Sequence, residues 1–336
     1  MKIKDYFTPK SMVYSGKHQN RKTEIKHYHY NEDDVYVSDD LTINPEYKSY
    51  IQVIGLTNTD HISKIKNMFK IDGFIFEDVF NVMQREKIDV REDYIFSVVH
   101  SLFKKDNLYQ KEYMSMLCLE GIVISFHEYE PWYLATSIDA LESYDEIRKR
   151  TSDFLFYHIL DLITDNHMDV FDDLNDRMNQ FEDITLSEQI LPQDKFFQTR
   201  KIFIRLKNNV FYLMASLESM LEQKSAFVKE VNLGFYHDLI DHLSRLDTQI
   251  NLSRENIRNL VDVNINNQSN KMNRIMTTLT LFSAIFIPLS FLTGFFGMNF
   301  VHFGVLEYRY AVWIFLSICI LVIGFMIWFF KKRDWL

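Results

Sequence analysis

Two stretches near the end of the chain carry no charged residue: 275–296, IMTTLTLFSAIFIPLSFLTGFF, and 310–330, YAVWIFLSICILVIGFMIWFF. A helix of about 20 apolar residues crosses the roughly 30 Å hydrocarbon layer of a bilayer, so each is long enough to span it. No comparable run occurs earlier in the chain. Residues 1–138 instead mix short patterns. KSYIQVIGL and YMSMLCLEGIVISFHE have the β-branched and aromatic content of strands, while HISKIKNMF and FEDVFNVMQR read as short helices. From residue 139 to 296 only Pro192, Gly234, Pro288 and Gly294 interrupt helix. Apolar residues recur there at three- and four-residue spacing: Phe154, Ile159, Leu162, Ile163, Val170, Phe171, Leu174 and Met178.

The pattern predicts an α+β membrane protein. A cytoplasmic α/β domain over 1–138 is followed by a helical hairpin over 139–232, turning at Pro192. A stalk helix over 233–296 continues into the first transmembrane helix. The segment 297–309 is an external loop, 310–330 the second transmembrane helix, and 331–336 a basic tail. The Asn-rich NINNQSN at 264–270 has poor helix propensity, but nothing in it forces a stop.

Charge sets the orientation. Lys271 and Arg274 precede the first span, and Lys331, Lys332 and Arg333 follow the second, whereas the connecting loop offers only Arg309. Both ends are therefore expected in the cytoplasm of a cell-membrane protein. The start, MKIKDYFTPK, has no apolar core and does not read as a signal peptide. Cys118 and Cys319 lie in different parts of the chain and form no disulfide framework. The formal charge of -9 argues against a nucleic-acid partner and is compatible with cations. No phosphate-binding glycine loop and no nucleophile–base arrangement emerges, so neither ATP-driven pumping nor an enzyme is expected, and no prosthetic group.

Within the first span, Asn273, Thr277, Thr280, Ala284, Ile287, Ser290, Gly294 and Gly297 fall near one helix face, with Met276 beside them. Apart from Ile287 and Met276 that stripe is small or polar, while Leu279, Phe282, Phe286 and Phe291 lie on other faces. Small and polar residues turn away from lipid, either to pack helices tightly or to line a water-filled path. Two spans cannot enclose a pore, so the second reading requires an oligomer. At the outer end stands Gly297-Met298-Asn299. A ring of neutral asparagine oxygens could accept hydrogen bonds from the water shell of magnesium, which gives up its water reluctantly.

The segment MNRIMTTLTLFSAIFIPLSFLTGFFGMNF, the second span and the ending FFKKRDWL resemble the CorA family of divalent-cation channels. The family's N-x-x-M-x-x-L-T start, mid-helix proline and G-M-N triplet are matched by Asn273, Met276, Leu279, Thr280, Pro288 and residues 297–299. SMVYSGK, FEDVFNVMQREKID, SDFLFYHILDLITDN and YHDLIDH resemble further family segments. The resemblance implies a homopentameric funnel that passes magnesium, cobalt or nickel down the membrane potential, with Gly297, Met298 and Asn299 as the entrance filter. It also implies regulatory cation sites between protomers: one held by Asp78 and Asp238, and a second by Glu77, Asp161, Asp238 and His242. Any one of these carboxylates read alone is an ordinary surface or helix-cap acid.

There are departures. Phe296 stands where the family usually has tyrosine, and the loop VHFGVLEY lacks M-P-E-L, with Val305 at the usual glutamate and Glu307 two residues later. ZntB-type zinc transporters share the two-span layout and a similar triplet, so zinc movement, proton-coupled or not, is the second expectation. His302 in the loop bears on it. A membrane-anchored sensor or scaffold that conducts nothing is the third. HYHY at 27–30 suggests a metal site at first sight, but its alternation belongs to a strand. His237 and His242, five apart, are poorly placed to grip one ion from one helix face.

Overall fold

The structure is a computed structural model that describes residues 14–298, 304, 308–333 and 335, with Asp60 and His61 described by their backbone alone. The β-branched and aromatic runs pair into one seven-stranded sheet: β1 (Glu24–Tyr30), β2 (Val35–Ser38), β3 (Lys48–Ile54), β4 (Lys87–Val90), β5 (Ile95–Lys105), β6 (Leu108–Leu119) and β7 (Ile122–His127). Their order is β2-β1-β3-β7-β6-β5-β4. Every neighbouring pair is antiparallel except β3 with β7. A parallel pair cannot be joined by a tight turn, and the chain between β3 and β7 includes two helices and three strands. The β5–β6 hairpin turns at Asp106-Asn107, both with positive φ (50° and 60°), the conformation that matches strand twist.

Helices α1 (Thr59–Met68) and α2 (Gly73–Phe80) bury Ile62, Ile65, Ile75, Phe76, Val79 and Phe80 in a cluster with Val53, Phe96, Leu117 and Phe126 of the sheet. The sequence pattern carries the second helix through FEDVFNVMQR, but it stops at Phe80. Asn81 ends it: its N–H donates to the carbonyls of Glu77 and Asp78, while its Oδ1 accepts from the Met83 N–H at 3.3 Å. That local bond gives the backbone an alternative to another helical turn.

After β7 come α3 (Ala135–Ser143), α4 (Asp145–Lys149), α5 (Ser152–Leu186), α6 (Gln193–Glu222), α7 (Leu233–Phe296) and α8 (Ala311–Lys332). The chain divides into two compact units. One holds the sheet with the chain to Phe181 and Pro192–Arg258; the other holds Glu182–Leu191 and Asn259–Leu336.

In the first unit, the start of α7 is tied to α5 through Asp153, which is fully buried. Its Oδ2 accepts from the Lys229 N–H at 3.0 Å and the Asn232 side chain at 2.9 Å, and the Tyr236 hydroxyl donates to its carbonyl at 2.8 Å. In the second unit, NINNQSN stays helical because its amides are used. Asn267 donates to the Thr185 carbonyl at 2.8 Å and Asn264 accepts from the Leu191 N–H at 3.1 Å. These satisfy groups around the turn between α5 and α6 that lack intrahelical partners. Among the described residues two helices, α7 with its short leading turn and α8, are long and apolar enough to cross a membrane.

One core residue is out of keeping with its surroundings. Glu112 of β6 is fully buried, and neither of its carboxylate oxygens has a hydrogen-bond partner among the described residues. Burial, with Glu128 adding repulsion, pushes its pKa from 4.5 up to about 9. The folded state therefore holds a proton that the unfolded chain releases. This contribution to stability is full below 4.5 and is lost progressively as pH rises towards about 9, at up to about 1.4 kcal/mol per pH unit. Glu112→Gln should remove that slope: thermal melts at pH 6 and pH 8 should show the wild type losing stability relative to the variant.

Candidate cation sites

Asp78 and Glu77 sit in the last turn of α2, both half-buried. Asp78 is already engaged: Lys87 Nζ lies 2.7 Å from its Oδ2 and Gln84 donates to its Oδ1 at 3.0 Å. Lys87 also reaches Asp89 at 2.6 Å. Its burial disfavours the ammonium, but the bonds to the two aspartates outweigh that and raise its pKa.

A second group forms where α5 faces α7. Asp238 and His242, one turn apart on α7, approach at 3.7 Å, and His242 Nδ1 is buried without a partner among the described residues. From α5, Asp161 feels both of them and the neighbouring Tyr157 hydroxyl. Burial raises the pKa of Asp161; Tyr157 and His242 oppose the shift, and Asp238 reinforces it. Asp165, the next turn along, is raised as well, by burial and then by Asp161 and Asp169. His158, whose Nε2 is buried and unpartnered among the described residues, is lowered by burial. Carboxylates held close with too little positive charge are a ready binding site for a cation, which turns their repulsion into attraction.

In the membrane half of α7, the hydroxyls of Thr278, Thr280 and Thr293 donate to their own helix, to Arg274, Met276 and Leu289 carbonyls at 2.8–2.9 Å. Asn273, Met276, Thr277, Thr280, Ile287, Ser290 and Gly294 are exposed in the single chain and Ala284 is half-buried. Helix α8 meets α7 on another side, with Phe296 and Phe315 rings 5.4 Å apart. Gly297 closes the helix, its N–H donating to the Thr293 carbonyl at 2.9 Å. A Cβ there would stand 3.0 Å from that oxygen, closer than side chains normally tolerate. Met298 follows, exposed. Asn299, His302, Val305 and Glu307 lie outside the described residues.

A profile of the family described as CorA-like Mg2+ transporter protein matches residues 49–332, most of the chain. The chain belongs to that family. It is 24% identical to the cobalt/magnesium transport protein CorA of Thermotoga maritima over 98% of this chain and 96% of that one. It is 30% identical to the candidate metal ion transporter YfjQ of Bacillus subtilis, over 80% of this chain and 84% of that protein. Its fold matches the complete structure of the CorA magnesium transporter from Methanocaldococcus jannaschii with a TM-score of 0.79, covering 93% of this chain and 98% of that one at 17% identity. CorA proteins are membrane transporters of divalent cations rather than enzymes, and the two apolar C-terminal helices fit the two-span layout.

Within this CorA-family chain, the residues expected at cation sites fall into two groups. Asp161, Asp238 and His242 come together, whereas Asp78 makes its contacts with Lys87 and Gln84. Tyr157 and Asp165 belong to the first group and are not among the expected residues, although the spacing 157, 161, 165 places them on one face of α5. Relieving the crowding should be measurable. Asp161→Asn should stabilise the protein in chelator by on the order of 0.5 kcal/mol. Denaturant melts of variant and wild type check this.

Proposed function

We propose that this CorA-family transporter is a homopentameric channel that admits Mg2+, and with it Co2+ or Ni2+, down the membrane potential. The supporting observation is the continuity of α7. One unbroken helix from Leu233 to Phe296 carries Asp238 and His242 near one end and the small, polar stripe near the other, and Gly297 follows directly. In this reading five copies of the stripe line a water-filled path: Asn273, Met276, Thr277, Thr280, Ala284, Ile287, Ser290 and Gly294. Gly297, Met298 and Asn299 form its neutral outer mouth, where amide oxygens bind the ion through its water shell. A potential of about 100 mV contributes roughly 2.3 kcal/mol per charge, hence about 4.6 kcal/mol for a divalent ion, so no separate fuel is required.

The cytoplasmic acids would act as the sensor. Asp78 and Asp238 face each other across protomers, with Glu77, Asp161 and His242 forming the neighbouring site. Two unit charges about 4 Å apart repel by roughly 4 kcal/mol at an effective dielectric of 20. A bound cation reverses that sign and holds the ring closed; a fall in internal cation releases it. For Asp78 this means exchanging Lys87 for the ion. A second reading, zinc transport with proton coupling, draws on the loop 301–309, which has His302 and a single acid, Glu307.

Cation entry into proteoliposomes tests the proposal, comparing Mg2+, Co2+, Ni2+ and Zn2+ with and without a pH gradient. Mg2+ entry driven by potential alone is expected, falling at least about 100-fold in an Asn299→Ala channel that still assembles, an effect of about 2.7 kcal/mol. Preference for Zn2+ with proton dependence would favour the second reading. Absence of flux for every ion in assembled wild-type protein would leave a non-conducting sensor, and normal flux in the variant would remove Asn299 from the filter.

A further inference from the structure

The alternation of HYHY in β1 puts His27 and His29 on the same face of the strand, because side chains two apart point the same way. Both are buried, with ring centroids 3.6 Å apart and planes at 32°. Tyr36 of the edge strand β2 stacks on His29 at 4.5 Å and 11°, holding its ring plane. Just beyond β2 the chain brings Asp40 back over the pair. Its carboxylate is exposed and accepts from the Thr42 N–H at 2.9 Å. One ligand atom from each of His27, His29 and Asp40 lies within 4.8 Å of the other two.

The hydrogen bonds prepare these rings as ligands. His27 Nδ1 lies 3.0 Å from the Asp40 carbonyl, which can only accept, so Nδ1 carries the proton and Nε2 keeps its lone pair. Nε2 rests 2.9 Å from the Ser49 hydroxyl, a partner that can rotate away. An imidazole fixed by donating one N–H to a backbone carbonyl is the usual arrangement of a metal-bound histidine. His29 is the second indication. Its Nε2 meets the Ser38 hydroxyl at 3.1 Å, but Nδ1 is buried without any partner among the described residues, in a side chain only 3% exposed. A nitrogen taken out of water and left unbonded costs stability unless something supplies what water did.

We propose that His27, His29 and Asp40 form a binding site for one imidazole-preferring divalent cation of the Zn2+, Co2+ or Ni2+ class. Two neutral imidazoles and one carboxylate suit these metals, whereas Mg2+ prefers an all-oxygen shell. A tetrahedral ion with bonds of about 2.0–2.1 Å needs its ligand atoms roughly 3.3 Å apart, within reach of small side-chain rotations. Asp40 reaches the ion from the exposed side and leaves a position for water. The site lies on β1 and the segment after β2, and it shares no residue with the acids of α2, α5 and α7.

The test is titration of the full-length protein in detergent with Zn2+, followed by calorimetry, and with Co2+, followed by its visible absorption. Both are done in excess Mg2+ and repeated in a His242→Gln chain, so that the one other implicated histidine is not counted. One equivalent per chain that resists Mg2+ and gives the absorption of four-coordinate Co2+ is expected. It should weaken at least about 10-fold in His29→Ala and in Asp40→Asn. Asp40 is exposed, so its variant keeps the fold even if His29→Ala does not. Zn2+ binding that Mg2+ displaces, or binding unchanged in Asp40→Asn and in folded His29→Ala, would overturn the assignment.

Discussion

Helix α7 must satisfy two solvents with one backbone. In hydrocarbon every N–H and C=O has to be bonded within the segment, which leaves a membrane-crossing strand of chain little choice but helix. Three threonines in or beside the span obey the same constraint by returning their hydroxyl protons to carbonyls of the preceding turn. Pro288 lacks an N–H, yet the helix runs through it. In the aqueous part the helix depends instead on tertiary contacts. Asp153 anchors its start, and Leu239, Leu243, Leu246 and Ile250 bury a stripe at three- and four-residue spacing.

The acids of α5 and α7 crowd one another. Asp161 and Asp165 are both pushed towards protonation, and His242 alone does not balance Asp161, Asp165 and Asp238. Evolution of a fold for stability alone would favour removing such a cluster, because like charges so close are costly. Asp78 tells a complementary story. It is paired with Lys87 in the single chain, so any cation arriving there would have to displace an ammonium.

Much of this architecture was legible in the residues. The two charge-free runs marked the membrane helices, and the lack of proline between Gly234 and Pro288 marked the long helix. The turn at Pro192 and the strand character of KSYIQVIGL and YMSMLCLEGIVISFHE were visible as well. What was not legible lay in contacts between distant segments. The asparagines of NINNQSN look like helix breakers until the α5–α6 turn supplies partners for Asn264 and Asn267. The end of α2 at Phe80 turns on a local bond that the Asn81 side-chain oxygen accepts from the Met83 N–H, which propensity does not weigh. Tyr157 and Asp165 could have been found from their spacing around Asp161, but only the packing of α5 against α7 brings Tyr157 near Asp238 and Asp165 near His242. HYHY was correctly a strand, and the strand itself is what aligns its two histidines.

If α7 lines a pore, one face of its membrane half meets water around an oligomer axis. Cysteine accessibility tests it most directly, in reconstituted protein with Cys319→Ser and single cysteines at Thr280, Ala284 or Ser290 against Phe282, Phe286 or Phe291. A small, membrane-impermeant thiol reagent is expected to modify the first set, with divalent cations slowing the reaction, and to leave the second set unmodified. Equal protection of both faces in protein that transports cations would contradict it.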